Sequence, residues 1–141
     1  MNNNWLNQHG FGHLLLSLIQ WGRSFVSDAP NDGKLYARQN GAWIAIFVPV
    51  TSITGLPTDA IVHRSLPLTG MVNPNDATNK TIIWSIVHAG SAYGQIWGNT
   101  FYAYYPGTST VRATIINGAS PTRHYTQDFI ITVSGNGYGY W

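Results

Sequence analysis

Cysteine is absent from this sequence, which excludes disulfides, thiolate metal sites and cysteine nucleophiles and leaves stability to packing alone. Glutamate is absent too: the five acids are Asp28, Asp32, Asp59, Asp76 and Asp128. Charged residues make up only 9% of the chain, against ~25% in ordinary soluble domains, so Asn, Thr, Ser and Gly must carry most of the solvation. Such a surface suits a partly buried subunit. The seven bases are scattered and the net charge is only +2, so no stripe could follow a phosphate backbone and no nucleic-acid partner is expected. Long apolar runs are missing as well. The N-terminal run from Leu14 to Ile19 is interrupted by Ser17 and falls far short of the ~20 residues that span a bilayer. It has no basic leader and no small-residue cleavage site, so neither a membrane span nor a secretory signal is expected, and a route out of the cell would be by assembly or lysis.

What is present divides into three segments. A chain of 141 residues holds one ordinary domain and a smaller attachment. In the first segment, over residues 4–27, Phe11, Leu14, Leu18, Trp21 and Phe25 recur at alternating three- and four-residue steps, the spacing of a helical seam. Asp28 and Pro30 close it, because the residue before a proline avoids helical geometry. Gly10, Gly12 and Gly22 each lower helix propensity by ~1 kcal/mol relative to Ala, so this helix needs packing partners. An ordinary core helix lying on the next domain and an intermolecular bundle both fit. The bundle is favoured, since a β-sandwich buries its inner faces without a helix.

The second segment reads as a β-hairpin. Lys34 to Gln39 and Ala42 to Ile46 flank Asn40-Gly41, the strongest two-residue hairpin signal because both central residues need positive φ. That register sets Arg38 opposite Trp43 and collects Leu35, Ala37, Ile44 and Ile46 on the other face. An isolated hairpin is marginal in water, so this face also calls for a neighbour. Phe11, Leu14, Leu18, Trp21 and Phe25, with Leu35, Ile44 and Ile46, are therefore the candidate oligomer interface.

The third segment, residues 51–135, has short alternating runs separated by turn residues, the pattern of a sandwich. Leu66, Leu68 and Val72 share a face, as do Ile82, Trp84 and Ile86, with Trp84 the candidate core tryptophan. The clearest run sets Tyr125, Gln127, Phe129, Ile131 and Val133 against Thr126, Asp128, Ile130 and Thr132. Between them come Gln95 to Trp97, Thr100 to Tyr105 and Thr110 to Ile116, bounded by Gly98-Asn99, Pro106-Gly107 and Asn117-Gly118. Residues 136–141 form an aromatic, glycine-rich tail. The expected architecture is mainly β, a sandwich over 51–135 preceded by a helix and a hairpin over 1–50.

Four phrases in this segment carry a resemblance: Ile53-Thr-Gly-Leu-Pro, Leu66-Pro-Leu-Thr-Gly-Met-Val-Asn-Pro, Ala77-Thr-Asn-Lys-Thr-Ile-Ile-Trp-Ser and Tyr125-Thr-Gln-Asp-Phe-Ile-Ile-Thr-Val. Together they resemble bacterial Ig-like domains, which implies an Ig-like β-sandwich and says little of function, since such modules decorate adhesins, secreted enzymes and phage virions alike. The phrase from Asp28 to Ile44 resembles a short motif recurring in head- and tail-fibre proteins of tailed bacteriophages. That likeness implies a virion appendage, assembled in the bacterial host cytoplasm, attached to other capsid or tail proteins and often homotrimeric. Identical chains would also supply the neighbours that the helix and the hairpin lack.

This sequence departs from the Ig-like pattern over Ile96 to Tyr105, where relatives usually carry small or hydroxyl residues. If Ile96 and Phe101 point inward, alternation turns Trp97, Tyr102 and Tyr104 outward, and such a group of exposed aromatics suits stacking of host-surface sugar rings. Cross-strand pairing, a subunit contact and docking of the aromatic tail are competing structural roles for the same residues.

No constellation points to catalysis, a metal or a cofactor. His9 and His13 are four apart but have no carboxylate within fourteen residues, and a polar place in a bundle suits them better than a metal. His63, His88 and His124 have no recognisable nucleophile partner. No carboxylate pair stands at glycosidase positions on facing strands. Gly10-Phe11-Gly12 lacks the strand that precedes a phosphate loop. The leading expectation is a non-enzymatic virion structural protein, with a bacterial surface adhesion module as the alternative. The Met1 start and the missing secretion signal argue against that alternative.

Overall fold

The computed structural model of the chain describes residues 28–136. The expected N-terminal helix, with Phe11, Leu14, Leu18, Trp21 and Phe25, and residues 137–141 of the aromatic tail lie outside the described residues. Within them every regular element is a strand, and the architecture is mainly β and sandwich-like. The strands are β1 (Leu35–Gln39), β2 (Ala42–Phe47), β3 (Ser52–Thr54), β4 (Asp59–Ile61), β5 (Leu66–Pro67) and β6 (Met71–Asn73), followed by β7 (Ile83–His88), β8 (Gln95–Trp97), β9 (Thr100–Tyr102), β10 (Gly107–Ser120) and β11 (Arg123–Ser134).

Two compact units divide between Ile46 and Phe47. The sequence pattern places this division after residue 50. Backbone bonds tie the intervening residues to the second unit: Val48 N–H donates to Thr78 Oγ1 at 2.8 Å, Thr78 N–H to the Val48 carbonyl at 3.0 Å, and Val50 N–H to the Gly118 carbonyl at 2.8 Å.

In the first unit β1 and β2 form a two-stranded sheet. Asn40 and Gly41 at its turn have φ of 50° and 80°, the left-handed pair that a type I′ turn requires. The Arg38 guanidinium lies 5.0 Å from the centre of the Trp43 ring, as the hairpin register demands. On the opposite face Leu35, Ile44 and Ile46 are exposed, Ile46 to 61%.

The second unit has a four-stranded sheet in the order β4-β11-β10-β7, faced by a layer made of β3-β6 and β5-β9-β8. β10 and β11 are a long antiparallel hairpin, while β4 runs parallel to the end of β11 with Ala60 opposite Val133. Ile131, Val133, Val111, Ala113, Ile115 and Trp84 fill the inner face of the four-stranded sheet, and Ile53, Leu68 and Phe101 come from the other layer into one cluster. Alternation along β11 holds as the sequence predicts: Ile131 and Val133 are buried, whereas Thr126, Asp128, Ile130 and Thr132 face out. Trp84 is buried to 7% exposure and packs against Phe129 with ring centres 6.1 Å apart.

Three local features differ from the sequence reading. The core takes in Val50, Ile53, Ala60 and Val62, which the alternating runs of the sequence do not mark. The apolar run from Leu66 to Val72 is split. Its two ends pair with different strands, β5 with β9 and β6 with β3, and Gly70 between them passes so close to Ile53 that a Cβ there would lie 2.8 Å from Ile53 Cγ2. Asn117-Gly118 does not end a strand. Asn117 takes φ 51° within β10, its N–H donates to His124 Nδ1 at 3.0 Å and its carbonyl accepts from Asn79 Nδ2 at 2.9 Å. The strand therefore passes through an irregularity and turns later, at Pro121-Thr122.

Gln127 joins the layers. Its Oε1 accepts from Ile53 N–H at 2.8 Å and its Nε2 donates to the Ile53 carbonyl at 3.0 Å, so one side chain on β11 takes the place of a pairing strand beside β3. The Tyr125 hydroxyl donates toward Gln127 Oε1, 2.9 Å away, and lies 3.2 Å from the Thr51 carbonyl. Burial pushes the Tyr125 phenol up, which keeps it a neutral donor.

Candidate functional site

β8 and β9 pair with Ile96 opposite Phe101, Gln95 opposite Tyr102 and Trp97 opposite Thr100. Because side chains alternate across a strand, this register sends Phe101 into the core, fully buried, and places Gln95, Trp97, Thr100 and Tyr102 together on the outer face. Trp97 is 57% exposed.

The rings meet on that face. Trp97 and Tyr102 have centres 5.9 Å apart, and Tyr102 and Tyr104 are 5.1 Å apart in an edge-to-face arrangement. All three residues singled out from the sequence, Trp97, Tyr102 and Tyr104, therefore stand in one cluster. The structure adds His63, which the sequence did not single out. It sits in a turn with φ 59°, its N–H donates to the Ala103 carbonyl at 3.0 Å, and its Nδ1 lies 3.2 Å from the Tyr102 hydroxyl. Its ring also packs against Tyr104, centres 6.3 Å apart. No sequence signal linked position 63 to position 102, since the contact depends on how the turn after β4 folds back along the end of β9.

Beyond Tyr104 the chain carries a second pair, Tyr93 and Tyr105, edge-to-face at 5.6 Å. These two line an open groove of about 530 Å³ with Ser91, Gln95 and Tyr104. The frame beneath is tightly bonded. Both Tyr104 N–H and Tyr105 N–H donate to the Ala92 carbonyl, at 3.1 and 3.2 Å, Gly94 N–H donates to the Ala89 carbonyl at 3.1 Å, and Ser109 Oγ donates to the same carbonyl at 2.6 Å. Only glycine fits at position 90, where φ is +60° and a Cβ would lie 2.0 Å from the Thr108 carbonyl oxygen.

Chemically, the arrangement offers aromatic faces, phenol hydroxyls, an indole N–H and one primary amide. The His63 imidazole stands beside Tyr102 and Tyr104, and the groove lined by Ser91, Tyr93, Gln95, Tyr104 and Tyr105 has no charged side chain. Among the described residues no group of three or more His, Asp or Glu side chains could hold a metal ion, and no helix is long and apolar enough to cross a membrane. The exposed face of the four-stranded sheet differs in kind. There Arg112 donates through Nε and Nη2 to both carboxylate oxygens of Asp128, at 2.6 and 2.8 Å, amid threonines and the exposed Ile83 and Ile130. The guanidinium holds the Asp128 carboxyl below the usual carboxylate range.

No protein-family model matches this chain, and no curated protein is significantly similar to it.

Proposed function

We propose that this chain is a non-enzymatic structural protein of a phage virion, a head or tail fibre or decoration component. In this reading its N-terminal region trimerises and attaches to other virion proteins, and its second unit is an Ig-like domain displayed for weak adhesion to host-surface glycans.

The observation that carries the adhesive part is the ring cluster Trp97, Tyr102 and Tyr104, held outward on paired strands over a fully buried Phe101. Aromatic rings fixed in this way stack on sugar rings while phenol and indole donors reach hydroxyls, and binding then costs little ordering entropy. Strand order supports the Ig-like reading. With β3, β5–β6, β9 and β8 taken as A, B, E and D, and β4, β11, β10 and β7 as A′, G, F and C, the two layers read A-B-E-D and A′-G-F-C. Trp84 then occupies the C-strand position of the buried tryptophan typical of that fold. The assembly part is supported by Leu35, Ile44 and Ile46, an exposed apolar face on a two-stranded sheet of a kind that seldom stands alone.

Immunogold labelling of tailed particles from cells expressing the chain tests the placement. Discrete labelling of heads or fibres is expected. Unlabelled particles, with the protein found on the bacterial wall instead, would overturn it in favour of a surface adhesion module.

A further inference from the structure

We infer that the Tyr93–Tyr105 groove is a second sugar subsite, continuous with the Trp97–Tyr102 face through the shared Tyr104, so that the site takes a single soluble chain of several neutral sugar units. The inference rests on the glycan reading above and deepens it.

Continuity comes first. Tyr104 packs edge-to-face on Tyr102 at 5.1 Å on one side and lines the groove of Tyr93 and Tyr105 on the other, and Gln95, opposite Tyr102 in the β8–β9 register, lines the same groove. One ligand can thus run from Trp97 to Tyr105 without leaving aromatic surface. Ring tilt then decides the kind of ligand. Successive rings are inclined by 50° between Trp97 and Tyr102, 76° between Tyr102 and Tyr104 and 73° between Tyr93 and Tyr105. Coplanar rings would suit the flat face of a crystalline polysaccharide. Rings tilted this far instead offer separate faces to successive units of a chain that turns as it goes.

Charge decides the class. The groove is lined by Ser91, Tyr93, Gln95, Tyr104 and Tyr105, which supply hydroxyls and an amide but no cation to pair with a uronate or sialate. A sugar carboxylate desolvated in this groove would find no lining cation; the imidazole of His63 lies at the other end, against Tyr102 and Tyr104.

Backbone strain marks the groove as more than a packing feature. Tyr93 holds φ 51°, a left-handed conformation that strains a bulky residue, yet its side chain is 63% exposed and contributes little to the core. The bonds to the Ala89 and Ala92 carbonyls hold that conformation in place.

The test is binding of the full chain to an array of neutral oligosaccharides from two to six units with uronate- and sialate-containing counterparts, followed by calorimetry on the best soluble ligand and its disaccharide. Affinity is expected to rise at least tenfold from disaccharide to the longer chain. Tyr105→Ala should remove that gain and leave disaccharide affinity unchanged, whereas Trp97→Ala should weaken both. Tyr93→Asn, which tolerates positive φ, should melt no lower than the native chain and still lose the length dependence. Equal affinity for short and long ligands, with Tyr105→Ala silent and Trp97→Ala damaging, would overturn the second subsite while sparing the adhesive reading. Preference for acidic sugars, or for crystalline cellulose or chitin over soluble chains, would overturn the inference directly. Absence of binding across the whole array would sink both.

Discussion

Trp84 and Trp97 belong to the same chemistry but to opposite environments. Trp84 is buried against Phe129 and the inner faces of both layers, so Trp84→Ala should destabilise the second unit by about 3–5 kcal/mol, a large part of the ~5–15 kcal/mol a domain of this size possesses. Trp97→Ala should leave melting nearly unchanged; thermal unfolding of both variants, followed by circular dichroism, checks the contrast. Gln127 is the residue whose role was least legible. Period-two alternation turned it inward, but only the fold reveals that its amide satisfies both backbone groups of Ile53, seventy-four residues away. Gln127→Leu should leave that N–H and carbonyl short of partners, at a cost of about 1–3 kcal/mol per unsatisfied group, and speed hydrogen exchange at Ile53. Asp128 is held low by Arg112, so any stability it adds is present above the ordinary carboxylate range and is lost as pH falls through the depressed folded value. Both side chains are about two-fifths exposed, so the effect is small: Asp128→Asn should lower the neutral plateau of a stability–pH curve slightly and converge with the native chain in acid.

Among the elements, alternation was the dependable guide wherever strands are long or regularly paired. It oriented β11, β7 and the β8–β9 pair, and with the Asn40-Gly41 signal it set Arg38 over Trp43. It failed where short-range chemistry is the same for two outcomes. Asn117-Gly118 has the composition of a turn, yet bonds from His124 and Asn79 hold Asn117 in a left-handed conformation inside β10. The short strands β3 and β4 carry too few residues for a period to show, and they are fixed by partners distant in sequence, Asn73 and Val133 among them. The same scale sets the domain boundary. A fragment starting at Phe47 should fold cooperatively as a β unit, because the bonds of Val48 to Thr78 and of Val50 to Gly118 lie within it. Loss of the β signal and of a sharp melting transition in that fragment would show that the hairpin unit is required for folding.

At the scale of the whole molecule, the two units differ in how completely they bury their apolar faces. The second closes a core from both layers and has glycine and backbone bonds rigidifying its aromatic edge. The first consists, among the described residues, of one hairpin whose Leu35, Ile44 and Ile46 stay in solvent. In the proposed trimer, three copies packed about an axis cover that face, and the proposed sugar contacts, weak singly, would add by avidity. If that face holds the proposed trimer, Ile44→Asp with Ile46→Asp should dissociate it without lowering the melting temperature of the second unit. Multi-angle light scattering on the purified full chain at micromolar concentration is the most direct measurement. The mass of a trimer is expected, and a stable monomer at that concentration would contradict assembly through the N-terminal region.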